Sequence, residues 1–234
     1  MKLGNKILPS YTILPLISAF SYNCIIYWGS NALCKNLFHY DFTTKLDRNI
    51  PFIPETISFY FLAYLFWIIN YILISRGEKK QFYRFITADL LSRTVCFLFF
   101  IFLPTTNVRP ELQGNSIWIQ MVKWLYKVDE PANLFPSIHC LVSWFCVIGI
   151  KNRTDIPNWY KGISVVFALL ICISTQTLKQ HYIIDWIRGI LLAEITFWIA
   201  NHCELYRYIQ QLFETIYAEM RNIKIQRRKM CEEE

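Results

Sequence analysis

The sequence predicts an all-α, polytopic membrane protein. It would be a six-transmembrane-helix bundle, with an interfacial helix in the second outer loop and a basic amphipathic C-terminal helix. Three observations predict this. Of 234 residues, 54% are hydrophobic and 18% are charged, against roughly 45–50% and about 25% in soluble domains. The apolar residues gather into six blocks, most of them near the roughly 20 residues a helix needs to cross the hydrocarbon core. Lys and Arg fall mainly between those blocks, biased to one side.

The first block, 11–33, follows Lys2 and Lys6 but has no small-x-small cleavage site, so it reads as a span rather than a signal peptide. The second covers 56–75, and the third covers 84–104, where Pro104 stops it. The fourth, 136–150, is short; the fifth and sixth cover 159–176 and 181–200. With the N-terminus in the cytoplasm, fifteen Lys and Arg residues lie inside and seven outside, while Arg93 and Arg188 fall within spans. The positive-inside rule then puts both termini in the cytoplasm. The outer face corresponds to periplasm, extracellular space or an organelle lumen.

Between the third and fourth spans, "SIWIQMVKWLYKV" (116–128) has the pattern of an interfacial amphipathic helix. Beyond the sixth span, Leu205, Ile209, Leu212, Ile216 and Met220 recur at helical spacing among basic residues. Residues 1–202 thus form a membrane domain, and 203–234 a cytoplasmic tail on the membrane surface or against a partner. The net charge of +7 is distributed as topology signals and headgroup contacts and indicates membrane lipids, not nucleic acid, as partners. Eight cysteines without a C-x-x-C pair read as small core residues.

Ionisable groups inside apolar spans are costly and mark function. His181 and Asp185, four apart in "KQHYIIDW", would share a helix face. Asp185 can then fix the tautomer of His181, whose other nitrogen is free to attack. A purely structural pair fits the same spacing. "PSIH", Pro136 to His139, opens the fourth span: Ser137 and the free N–H groups of the first turn can cradle a phosphate, and His139 can serve as acid and base. Arg109 can grip phosphate oxygens bidentately. Taken singly, these are also a helix start and a headgroup arginine. Under the six-span topology all three clusters meet at the outer face. Asp89 and Arg93, at i and i+4 in the third span, read as an intramembrane ion pair; Arg188, one turn below Asp185, could pair with it.

Arg109-Pro110, "PSIH" and "STQTLKQHYIID" together resemble the three signature motifs of the type 2 phosphatidic acid phosphatase superfamily. The third motif, S-R-x5-H-x3-D, is matched at Ser174, His181 and Asp185, the second, P-S-G-H, at Pro136, Ser137 and His139, and the first, K-x6-R-P, at Arg109 and Pro110 only. The family Lys, Gly and Arg are replaced by Phe102, Ile138 and Thr175. The resemblance implies a lipid-phosphate phosphatase without metal or other cofactor. In it His181 becomes phosphorylated, Asp185 orients it, His139 is acid and then base, and Arg109, Ser137 and Ser174 bind phosphoryl oxygens. Lys179 would supply one of the missing positive charges, or else anchor the chain at the interface. The retained His–His–Asp set is also similar to the sphingomyelin and inositol phosphorylceramide synthases, which implies, as an alternative, a phosphotransferase acting between lipids. A non-catalytic transporter or channel, with the His181–Asp185 pair relaying protons, is the reading from a different class.

Overall fold

The computed structural model describes residues 8–232. Lys2 and Lys6, which the orientation argument places inside, lie outside the described residues, as do Glu233, Glu234 and the side chains of Lys224, Arg227, Arg228, Lys229 and Cys231. The described chain folds into nine α-helices: α1 (Ser10–Cys34), α2 (Lys45–Asn49), α3 (Ile57–Ser75), α4 (Lys79–Phe102), α5 (Ile117–Val128), α6 (Ile138–Lys151), α7 (Asn158–Thr177), α8 (Ile183–His202) and α9 (Leu205–Glu232). Each of the six apolar blocks is a helix, with ends shifted by up to five residues. The protein is an all-α membrane protein, and α3 with its preceding turn (Pro54–Ser75), α4 and α7 are long and apolar enough to cross a bilayer.

The short helix α6 is the hub, packed against α3, α7 and α8, while α4 lies against α1 and α8. Leu141, Phe145 and Ile148 of α6 join Phe85 of α4 and Ala193 of α8 in the main apolar cluster. Close approach depends on glycine where α6 meets α8. A Cβ on Gly189 would stand 2.8 Å from the Ser137 carbonyl oxygen and 3.3 Å from Cys140 Cβ. Asp89 and Arg93 form the expected ion pair in α4 at 2.8 Å, with both side chains almost wholly buried, and the Tyr71 hydroxyl donates to Asp89 at 3.2 Å.

The amphipathic helix α5 lies where the sequence indicates. Val122 and Leu125 pack on Ile57, Tyr60 and Leu178, and Ile117, Trp124 and Val128 remain exposed. The helix α9 docks on the bundle through a face next to its Leu/Ile/Met stripe. Tyr206 and Phe213 are buried against the main cluster with Ile209 partly so, whereas Leu205, Leu212 and Met220 are exposed. The aromatic rings offer more area to bury, and Lys80 and Arg84 of α4 sit over the Tyr206 ring.

A strap of chain from Leu37 to Ile53 joins α1 to α3. Its residues Tyr40 and Asp41 (β1) pair in parallel with Thr105 and Thr106 (β2) after α4. The seven described cysteines are free, and five of them are buried.

Candidate active site

The segment Leu178–Tyr182, between α7 and α8, carries His181 to the ends of both helices. His181 is not on a helix with Asp185, as the four-residue spacing suggests; α8 starts two residues later. Lys179 turns the chain with φ 53°. The two side chains still meet, because Asp185 folds back over the helix start. Its Oδ2 accepts the Tyr182 N–H at 2.9 Å and lies 3.5 Å from His181 Nδ1. The nearer partner of Nδ1 is the Leu134 carbonyl oxygen at 2.9 Å. A carbonyl only accepts, so Nδ1 carries the proton and Nε2 is left with its lone pair.

Ser137 is the N-cap of α6, its Oγ accepting the Cys140 N–H at 3.3 Å, and its own N–H donates to the Asp185 carbonyl at 3.2 Å. His139 follows in the first turn. Its ring stacks on Tyr60 at 4.2 Å between centroids, with Tyr64 and Trp67 at 5.9 and 5.1 Å. The two imidazoles stand 6.4 Å apart, centroid to centroid.

Arg109 is anchored on one edge. Nη1 donates to the carbonyls of Tyr126 at 3.3 Å and Asp129 at 2.5 Å, Nη2 donates to Gln180 Oε1 at 2.7 Å, and the guanidinium lies over the Tyr126 ring. Burial pulls its pKa down against the opposing pull of Asp129. The Lys179 ammonium is held by the carbonyls of Asp47 at 2.8 Å and Ile50 at 2.6 Å, at the C-terminal end of α2. Burial lowers its pKa too, with Asp47 opposing.

A cavity of about 230 Å³ opens beside these groups, lined by Thr43, Asp47, Arg48, Asn107, Val108, Arg109, Pro110, Gln176, Lys179, His181 and Tyr182. Of the seven residues singled out from the sequence, Arg109, Lys179 and His181 line it. Asp185 and His139 touch or face His181 from outside the lining. Ser137 and Ser174 do not line it. The Ser174 hydroxyl donates to the Ile171 carbonyl at 2.7 Å inside α7, the usual way a buried helical serine satisfies itself. Arg188 does not pair with Asp185; it is exposed and lies over the Phe135 ring. Thr175, in the family Arg position, donates to the Cys172 carbonyl, and Phe102 points outward with 78% exposure.

The motifs gave no warning of Asn107, Gln176 and Gln180, neutral amides that ring the site, or of Asp129. Position supplied the one available signal: Gln180 adjoins His181. Thirteen buried side-chain nitrogen and oxygen atoms lack a partner among the described residues, and six of them belong to Asn107, Arg109, His139, Gln176, Gln180 and Asp185. Buried polar atoms are almost always paired, by ordered water where the protein offers nothing, so these six cluster where water or another polar partner fits.

A family model described as the PAP2 superfamily matches residues 52–199, more than half of the chain and every motif residue above. The chain belongs to the PAP2 superfamily. No curated protein and no solved structure matches it. Membership gives this PAP2 protein phosphoryl transfer of the lipid-phosphatase kind as its general chemistry, in keeping with its apolar helices.

Proposed function

We infer that the protein is an integral membrane lipid-phosphate phosphatase working through a phosphohistidine, at an active site on the outer face of a six-span bundle. Both termini would be cytoplasmic and α9 would be a cytoplasmic tail helix. The observation that carries the reading is the His181 environment: a proton pinned on Nδ1 by Leu134 O and Asp185, with Nε2 left free beside a cation-lined cavity.

Nε2 attacks phosphorus and forms an N–P bond as the P–O bond to the lipid breaks. His139 gives its proton to the leaving oxygen. Arg109, with Lys179 adding positive charge, stabilises the equatorial oxygens. Asp185 supports the charge that His181 acquires. Water then loses a proton to His139 and attacks phosphorus. The N–P bond breaks, orthophosphate leaves and both histidines return to their starting state. No metal enters these steps, so chelators should leave the rate unchanged, while vanadate, which mimics the five-coordinate transition state, should inhibit.

The replacement of two family cations by Thr175 and Phe102 leaves the acceptor open, and the similarity of the His–His–Asp set to the sphingolipid synthases supports a second reading, transfer of the phosphoryl group to a lipid alcohol instead of water. One experiment tests both. Purified protein is given labelled phosphatidic acid or isoprenoid phosphate, with and without alcohol acceptors. Wild type should release phosphate or a transfer product, and His181→Ala should lose at least about 1,000-fold. Activity unchanged in His181→Ala sinks the mechanism. A product that needs the acceptor, with negligible free phosphate, selects the transferase.

A further inference from the structure

The cavity wall holds three cations, Arg48, Arg109 and Lys179, and they differ in the donors they have to spare. An arginine carries five N–H groups and a lysine three. Arg109 commits Nη1 to the carbonyls of Tyr126 and Asp129 and one Nη2 proton to Gln180 Oε1. Its Nε is buried without a partner, which leaves a single Nη2 proton for a ligand. Lys179 spends two protons on the carbonyls of Asp47 and Ile50, and one remains. Held in this way, neither can grip two phosphoryl oxygens at once. Arg48 is exposed, and its guanidinium has no hydrogen-bond or ion-pair partner among the described residues. It keeps the whole planar fork that matches a phosphoryl group.

An arginine at a membrane interface often does no more than touch headgroups. The strap sets Arg48 apart, because its backbone is fixed on both sides of that residue. Lys179 holds the carbonyls of Asp47 and Ile50, Asp47 Oδ1 takes the Ile183 N–H at 2.8 Å, and Oδ2 takes the Thr44 N–H at 2.8 Å. The strap is thereby clipped to the segment that carries His181. The charge of Arg48 is also felt at the cavity. Asp41 titrates below the usual carboxylate range: burial opposes this, and hydrogen bonds from Thr43 and Tyr182 together with the charge of Arg48 bring it about. Asp41 Oδ1 accepts the hydroxyl of Tyr182 at 2.5 Å, and Tyr182 belongs to the same wall.

We propose that Arg48 is a phosphate-binding residue of the active site, swinging from the strap to hold two oxygens of the phosphoryl group. It lies outside the stretch 52–199 that matches the family, so the motifs do not account for it. It supplies a cation to a site in which Thr175 and Phe102 stand where the family has Arg and Lys. The proposal rests on the phosphoryl-transfer reading above.

The test is titration of the purified full-length protein with vanadate and with inorganic phosphate. Arg48→Gln should weaken both about 10–100-fold and leave Tm unchanged, since the side chain has no contact to lose. Arg48→Lys keeps the charge without the fork and should recover only part of that loss. Lys45→Gln, an equal change of charge on the same helix away from the cavity wall, should stay within about twofold of wild type. Wild-type affinity in Arg48→Gln overturns the proposal, and so does a fall in its Tm, which would make Arg48 a structural residue. Full recovery in Arg48→Lys, or an equal loss in Lys45→Gln, reduces the effect to general charge and overturns the two-oxygen grip. Failure of wild type to bind vanadate or phosphate overturns the phosphoryl-transfer reading itself.

Discussion

At the residue scale, the site is a small set of directed protons. His181 Nδ1 has two acceptors, and Leu134 O is nearer than Asp185 Oδ2. On the proposed mechanism, Asp185 would therefore act chiefly through charge and through holding the Tyr182 N–H. Asp185→Asn should lower kcat by about 10²–10⁴-fold with a small change in KM, measured by initial rates on whichever lipid phosphate wild type hydrolyses. An unchanged kcat would reduce Asp185 to a helix-capping residue. The motif residues were legible because His, Asp and Arg stand out beside apolar runs that otherwise exclude them. Asn107 and Gln176 were not legible, because a neutral amide in a loop or at a helix end carries no signal until its partners are known. Ser174 shows the converse: it matches the motif position, yet its hydroxyl turns back onto its own helix.

At the element scale, the α6–α8 crossing sets the distance between the two histidines, since His139 rides on the first turn of α6 and His181 just precedes α8. Gly189 permits that crossing. Gly189→Ala forces its Cβ against the Ser137 carbonyl, which cannot yield as a flexible side chain would. The expected result is a loss of about 1–3 kcal/mol and a fall in activity larger than that stability loss explains, read from thermal unfolding in detergent beside the rate assay. Asp89→Asn acts on the bundle elsewhere. It leaves Arg93 buried without its counter-ion, and its cost of about 3–5 kcal/mol should appear as a large drop in Tm. Helix positions were readable from the apolar blocks, whereas the docked face of α9 was not. Its stripe of Leu, Ile and Met has the right period, but the rings of Tyr206 and Phe213, one position round the helix, take the packing.

At the scale of the whole molecule, α8 runs from the cavity end, where Tyr182 and Ile183 begin it, to Cys203 at its other end. Twenty residues of helix span about 30 Å, the thickness of the hydrocarbon core. With the site on the outer face, a membrane-impermeant maleimide should label Thr43→Cys, at the cavity rim, in sealed right-side-out membranes. It should reach Cys203, which is exposed, only after permeabilisation. The reverse order would turn the site towards the cytoplasm. The apolar blocks were legible as helices because long apolar runs are what a bilayer demands. How the helices lean together was not, since lipid-facing and protein-facing apolar residues look alike in a sequence.

The strap between α1 and α3 also bears on how the protein is made. Asp47 reaches Ile183 across 136 positions of sequence, Lys179 reaches back to Asp47 across 132, and Asp41 holds the Tyr182 hydroxyl across 141. The cavity wall is therefore assembled from three distant segments, the strap, the Asn107–Pro110 loop and the Gln176–Tyr182 segment. During synthesis, the early segment waits with these partners missing while more than half of the polypeptide is still to be added. The cavity closes only when Lys179 to Ile183 have been added, so a partly made chain has the arginines of its wall but not the histidine.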